Sequence, residues 1–136
     1  MVRNATEPTV YYLALFTVAT APGPDTNTFS QLTQIATGAG YTTGGTSLAR
    51  NSTDFDVLTE DDTNDVAFAQ IKDIVWTASG DTIPASGAGA RYACMTDDNG
   101  TEGSRIIIHY WDLVSEHIVS DGQTLTLQNC EIRLTE

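Results

Sequence analysis

Lysine is all but missing from this sequence. Lys72 stands alone beside five arginines, against 18 acidic residues in a chain of 136. A surface that tracks phosphates needs clustered Lys and Arg, and six cations scattered along the chain do not supply it, so nucleic acid is not an expected partner. An anionic membrane surface repels such a chain for the same reason. No stretch approaches the roughly 18 consecutive apolar residues of a membrane-crossing helix. The usual helix formers Leu, Lys and Glu are sparse as well. Cysteine is limited to Cys94 and Cys130, and with 40% apolar residues the chain can bury a core without staples.

What is present is carboxylate. The formal charge is -12, carried by 12 Asp and 6 Glu. Self-repulsion of that size is a liability in dilute buffer, but at molar salt the screening length falls to about 3 Å and most of it disappears. The balance of short acidic side chains and near-absent Lys fits a protein of a halophilic, salt-loaded setting. Threonine is the commonest polar residue, 21 by count, and with Val, Ile and Tyr it favours pleated, half-buried surface. The expected fold is therefore all-β: one antiparallel β-sandwich or jelly roll of about eight strands over 10–136, preceded by a polar arm over 1–9.

Along the chain, Val10 to Thr20 is apolar on both faces and reads as a central strand. Its Ala19-Thr20-Ala21 end imitates a signal-peptide cleavage site, but Glu7, Tyr11, Tyr12 and Thr17 argue for a core strand. Pro22 and Pro24 then stop any ladder. Phe29, Leu32 and Ile35 suit a short helix or an extended connection. Gly38-Ala39-Gly40-Tyr41-Thr42-Thr43-Gly44-Gly45 has no Walker lysine, so it reads as a tight loop with Tyr41 packed inward or onto a partner. Short strands are expected over Thr46–Arg50 and Thr53–Thr59, the latter with Leu58 on the same side as Asp54 and Asp56. Asp65–Ile71 and Ile74–Thr77 read as adjacent strands or one bulged strand. A hairpin of Ala90–Met95 and Arg105–Trp111 is expected to turn at Asn99-Gly100, with Ile106, Ile107 and Ile108 buried on both sides. Gln123–Thr135 changes phase near Gln128-Asn129, which calls for a bulge.

No residue cluster announces a reaction. His109 and His117, eight residues apart, match no zinc spacing even with Asp112 and Glu116 nearby. The acidic runs Glu60-Asp61-Asp62 and Asp97-Asp98 lack a calcium-loop pattern and read as solvated turns. There is no Gly-x-Ser-x-Gly elbow. No catalytic, cofactor or metal residues are assigned, and a non-enzyme is expected. Cys94 and Cys130 are compatible with one disulfide or with two buried thiols. Asn4, Asn51 and Asn99 open Asn-X-Thr sequons. Docking surfaces favour aromatics, which makes Tyr11, Tyr41, Trp76, Tyr110 and Trp111 the candidate interface residues; consecutive Tyr110 and Trp111 point to opposite faces of a strand.

The order of short words along the chain resembles small β-rich structural proteins of tailed viruses. The words are Leu13-Ala14-Leu15-Phe16-Thr17, the Gly38 to Gly45 segment, Asp73-Ile74-Val75-Trp76-Thr77, Ala90-Arg91-Tyr92-Ala93 and the strand opened by Asp121-Gly122. The resemblance implies a virion component without enzymatic role. The first expectation is a capsid decoration or turret-type protein on the outer head shell, with other virion proteins as partners and a homo-oligomeric state. A tail or fibre component for host attachment is the alternative, and a secreted carbohydrate-binding or hydrolytic sandwich the second.

Overall fold

The computed structural model describes residues 7–135, so the first six residues of the expected arm lie outside the description. The chain is all-β. Among the described residues nine strands form three antiparallel sheets: β1 (Val10–Phe16), β2 (Thr46–Ala49), β3 (Val57–Asp61), β4 (Val66–Ile71), β5 (Ile74–Thr77), β6 (Ala90–Thr96), β7 (Ile107–His117), β8 (Thr124–Leu127) and β9 (Cys130–Thr135). The first sheet runs β2-β1-β6-β7, the second β3-β4-β9, and the third pairs β5 with β8.

β1 lies inside the first sheet and is buried on both faces, as its unbroken apolar run requires. Leu13 and Leu15 join the main core, while Ala14 and Phe16 join a smaller one on the far side of the sheet. The strand stops at Phe16, four residues short of expectation. Thr33–Ile35 then continues the edge that β2 began: Thr17 N–H donates to Thr33 at 2.8 Å and Ile35 N–H to Leu15 at 3.1 Å. The segment from 28 to 35 is therefore one 3-10 turn, Phe29–Gln31, followed by extended chain. It lays Phe29 and Leu32 over the smaller core, where the rings of Phe16 and Phe29 meet edge-on at 4.9 Å.

The main core lies between the first sheet and the other two. β4 with β5, and β8 with β9, behave as two long strands that bend together. Ile71 faces Cys130 and Ile74 faces Leu127, so the pairing offset is unchanged across the break. No extra residue enters, and the expected bulge is absent. Asn129 instead takes a left-handed conformation (φ 53°), which the short Asn side chain tolerates. Both strands change phase there, so Ile71, Ile74, Trp76, Leu125, Leu127 and Cys130 all reach the same core.

Three further expectations need correction. Thr53–Asp56 is a turn, and the strand begins only at Val57. β6 and β7 do pair antiparallel, but through a long connection containing a 3-10 turn, Glu102–Ser104. Asn99 and Gly100 are not among the positive-φ residues; Asp97 closes the loop by accepting from Ile106 N–H at 2.9 Å. Ile106 and Ile108 are exposed, and only Ile107 between them packs inward, against the smaller core.

Candidate interaction surface

The five aromatics singled out by the sequence do not share one surface. Tyr41 and Trp76 are core residues, 2% and 5% exposed, with ring centroids 5.9 Å apart. They are unavailable to a partner, because the glycines around Tyr41 fold its loop into the main core. Gly40 and Gly45 both have positive φ, and a Cβ on Gly45 would stand 2.0 Å from the Leu13 carbonyl. That close approach delivers the Tyr41 hydroxyl to the β1 edge, where it accepts from Leu15 N–H at 2.9 Å and from Gln34 Nε2 at 2.7 Å. Burial pushes the phenol up to about 12.

Trp111 and Tyr110 take opposite faces of β7. Trp111 is half-buried against the main core, and its Nε1–H donates to the Glu131 carbonyl at 3.0 Å, tying β7 to β9. Tyr110 faces solvent. Tyr11 is half-buried and meets Phe55 edge-on at 5.8 Å. With Arg50, Asn51, Ser52, Leu58 and Ala69 these two rings line an open groove of about 420 Å³.

The groove continues into the second sheet, and here lies a surface that aromatic content did not signal. One face of β3-β4-β9 carries Leu58, Ala69 and Ile132 in one row and Glu60, Ala67 and Leu134 in the next. Ile71, Cys130 and Ile132, at one end of that face, pack on the main core. Toward the β3–β4 turn the cover runs out, leaving Leu58 84% and Leu134 70% exposed. Within β3 itself Leu58 shares its phase with the exposed Glu60.

One buried carboxylate builds the groove wall. Asp54 accepts from Ala49 N–H at 2.6 Å and pairs with Lys72, while its carbonyl accepts from Lys72 N–H at 3.0 Å. Asn51 Oδ1 in turn accepts from Thr53 and Asp54 N–H. The Arg50–Phe55 loop is thereby clasped to the end of β2 and to the β4–β5 bend. The Lys72 ammonium, then the Ala49 amide, hold the Asp54 carboxyl below its ordinary value.

The other titratable candidates are occupied locally. Asp61 accepts from Thr63 and Asn64 N–H and from Asn64 Nδ2 in its own turn. Asp112 is paired with Arg91, at 2.8 Å from its Nε. His109 packs edge-on to Trp111 at 4.7 Å and is pushed down by burial, whereas His117 lies at the far end of β7 beside Ser115. Among the described residues, no group of three or more His, Cys, Asp or Glu is arranged to hold a metal. Cys94 belongs to the smaller core and Cys130 to the main one. The first sheet separates them, so they are two buried thiols.

Comparison with protein-family models, with curated proteins and with solved structures gave no match.

Proposed function

We propose that this protein is a structural component of a tailed-virus particle, a decoration protein that binds the outer head shell by adhesion alone. The observation that carries the adhesive reading is the pair of leucines left open on the β3-β4-β9 face, Leu58 and Leu134, beside the Tyr11–Phe55 groove. Burying two leucines from exposure contributes about 3 to 6 kcal/mol, less than the cost of tight association between two free proteins. Linked in an oligomer, so that one bound patch raises the effective concentration of the next, such patches suffice. The virion assignment itself draws on the word order that resembles small viral structural proteins, and the acidic surface suits a particle exposed to brine.

Quantitative mass spectrometry of purified particles tests the reading. Hundreds of copies per particle are expected, and Leu58→Asp protein should fail to rebind shells from which the chain has been stripped. A few dozen copies, pointing to the tail, or absence from particles, overturns it.

A further inference from the structure

We propose that Asn99 is a self-modifying site, where the Asn99-Gly100 pair closes to a cyclic imide, releases ammonia and reopens with water to aspartate or isoaspartate. The inference goes beyond shell binding and does not depend on it.

The chemistry asks three things of one loop: a side-chain carboxamide, a following backbone N–H free to attack it, and room for the two to meet. Asn99 is the one asparagine of the chain that precedes a glycine, and both residues are exposed. The tight hairpin turn expected here does not form, and Gly100 N–H has no hydrogen-bond partner among the described residues, although the amides on either side of it do. A Cβ built on Gly100 would meet no heavy atom within 4 Å beyond its chain neighbours, so nothing crowds the approach. Thr101 N–H donates to Asn99 Oδ1 at 2.9 Å. That bond fixes the carboxamide and supports the oxygen on which negative charge develops during attack.

Two other turns have the composition without the geometry. Asp121-Gly122 could close the same ring by losing water, but Gly122 N–H is committed to the Ala78 carbonyl at 2.9 Å and Asp121 Oδ1 to Gly80 N–H at 2.8 Å. Asn51 Oδ1 accepts from Thr53 N–H at 2.9 Å, as Asn99 does from Thr101, yet it is also held by Asp54 N–H, and the next residue is Ser52, whose side chain crowds the nucleophile.

The atoms balance without an oxidant or a cofactor. The Gly100 nitrogen, deprotonated by hydroxide, bonds to Asn99 Cγ. The Cγ–Nδ2 bond breaks, and ammonia leaves with a proton returned by water. A second water opens the ring at Cγ, giving aspartate, or at the Asn99 backbone carbonyl carbon, giving isoaspartate with the chain rerouted through Cγ. Either product adds one negative charge to a -12 chain. Isoaspartate also lengthens the backbone next to Asp98, whose carboxylate accepts from Thr9 N–H at 3.1 Å and Thr9 Oγ1 at 3.2 Å. The reaction therefore loosens, with age, the tie between the β6–β7 connection and the chain entering β1.

Ageing the purified full chain in KCl at neutral and mildly alkaline pH, followed by ion exchange and peptide mapping for isoaspartate, provides the test. Asn99 should convert ahead of every other Asn and of Asp121, faster as pH rises, and Thr9 amide exchange should quicken in the isoaspartate fraction. Gly100→Ala sets a methyl beside the nucleophile and should slow the step about tenfold or more. The native chain should convert at least as fast as the chain in urea, where Thr101 no longer holds the carbonyl, a readout that needs no variant. Earlier conversion at Asn51 or Asp121, a native rate about tenfold below the unfolded one, a Gly100→Ala rate equal to the unmodified one, or unchanged Thr9 exchange overturns the proposal. No shell enters the experiment, so failure of shell binding leaves its outcome untouched.

Discussion

Replacing Asp54 by alanine removes two contacts at once. The Ala49 amide loses the acceptor that now stands at 2.6 Å, and Lys72 loses its counter-ion. Hydrogen bonds to a charged group contribute about 1.5 to 3 kcal/mol each, and a donor left buried without a partner costs in the same range. The ammonium is partly solvated, its side chain 39% exposed, so its share belongs at the low end and shrinks further in salt. The amide contact is short-ranged and part-buried, so salt weakens it less. Together these place Asp54→Ala at about 2 to 4 kcal/mol of destabilisation. Asp54→Asn keeps an acceptor for Ala49 and loses only charge, so about half that effect is expected. Lys72→Met, which spares the Ala49 contact, should cost under about 1 kcal/mol at high salt.

Urea unfolding of the four proteins at fixed, high KCl gives the comparison, and the order Asp54→Ala, Asp54→Asn, Lys72→Met is the result to look for. The pH dependence follows from the direction of the shift. Because the folded carboxyl lies below its ordinary 3.8, its contribution is present above the unfolded value and lost as pH falls through the folded one. The stability gap between unmodified protein and Asp54→Asn should thus be constant near neutrality and narrow below about pH 4. An Asp54→Ala loss under about 0.5 kcal/mol, or a Lys72→Met loss that exceeds it, would refute the view that the amide contact carries the clasp.

Three other outcomes follow from the same geometry. Tyr41→Phe keeps the ring in the core but takes the acceptor from Leu15 N–H, so a loss of about 1 to 3 kcal/mol is expected in thermal or urea unfolding; a neutral result would mean that water or another group replaces the hydroxyl. Burial raises Cys94 to about 12 and Cys130 to about 11, and the thiolate is the reactive form. Both should therefore resist a thiol reagent in the native state, react on unfolding, and form no intramolecular disulfide under oxidation. The melting temperature should rise as KCl goes from about 0.1 to about 2 M, because screening relieves the self-repulsion of the -12 chain. Stability already maximal at the lower salt would remove the case for a brine-adapted surface.

Sequence periodicity revealed the strands well where one physical demand acted on them. β1 is apolar on both faces because cores lie on both sides of its sheet, and that run needs no context to be read. Ile106 to Ile108 looks identical as sequence, yet only Ile107 packs inward, because burial of a face depends on what tertiary structure lays over it. The phase change at Gln128-Asn129 was legible as an irregularity but ambiguous in kind. A bulge and a left-handed residue both reverse the alternation. Only the partner strand, which bends at Lys72-Asp73 with the pairing offset preserved, separates the two.

The interaction surface was harder to read because aromatic content is a poor guide when the core itself needs large side chains. Tyr41 satisfies a backbone amide and Trp76 fills the main core, so each has a structural reason to be present that no partner shares. Leu58 and Leu134 have no such reason. They contribute nothing to the core, they stand on the two strands that flank β4 in one sheet, and each exposes an aliphatic side chain to solvent. An isolated exposed leucine is ordinary. Two on one sheet face, continuous with a groove whose wall is held by the Asp54 clasp, form a patch, and patches of that kind mark contact surfaces.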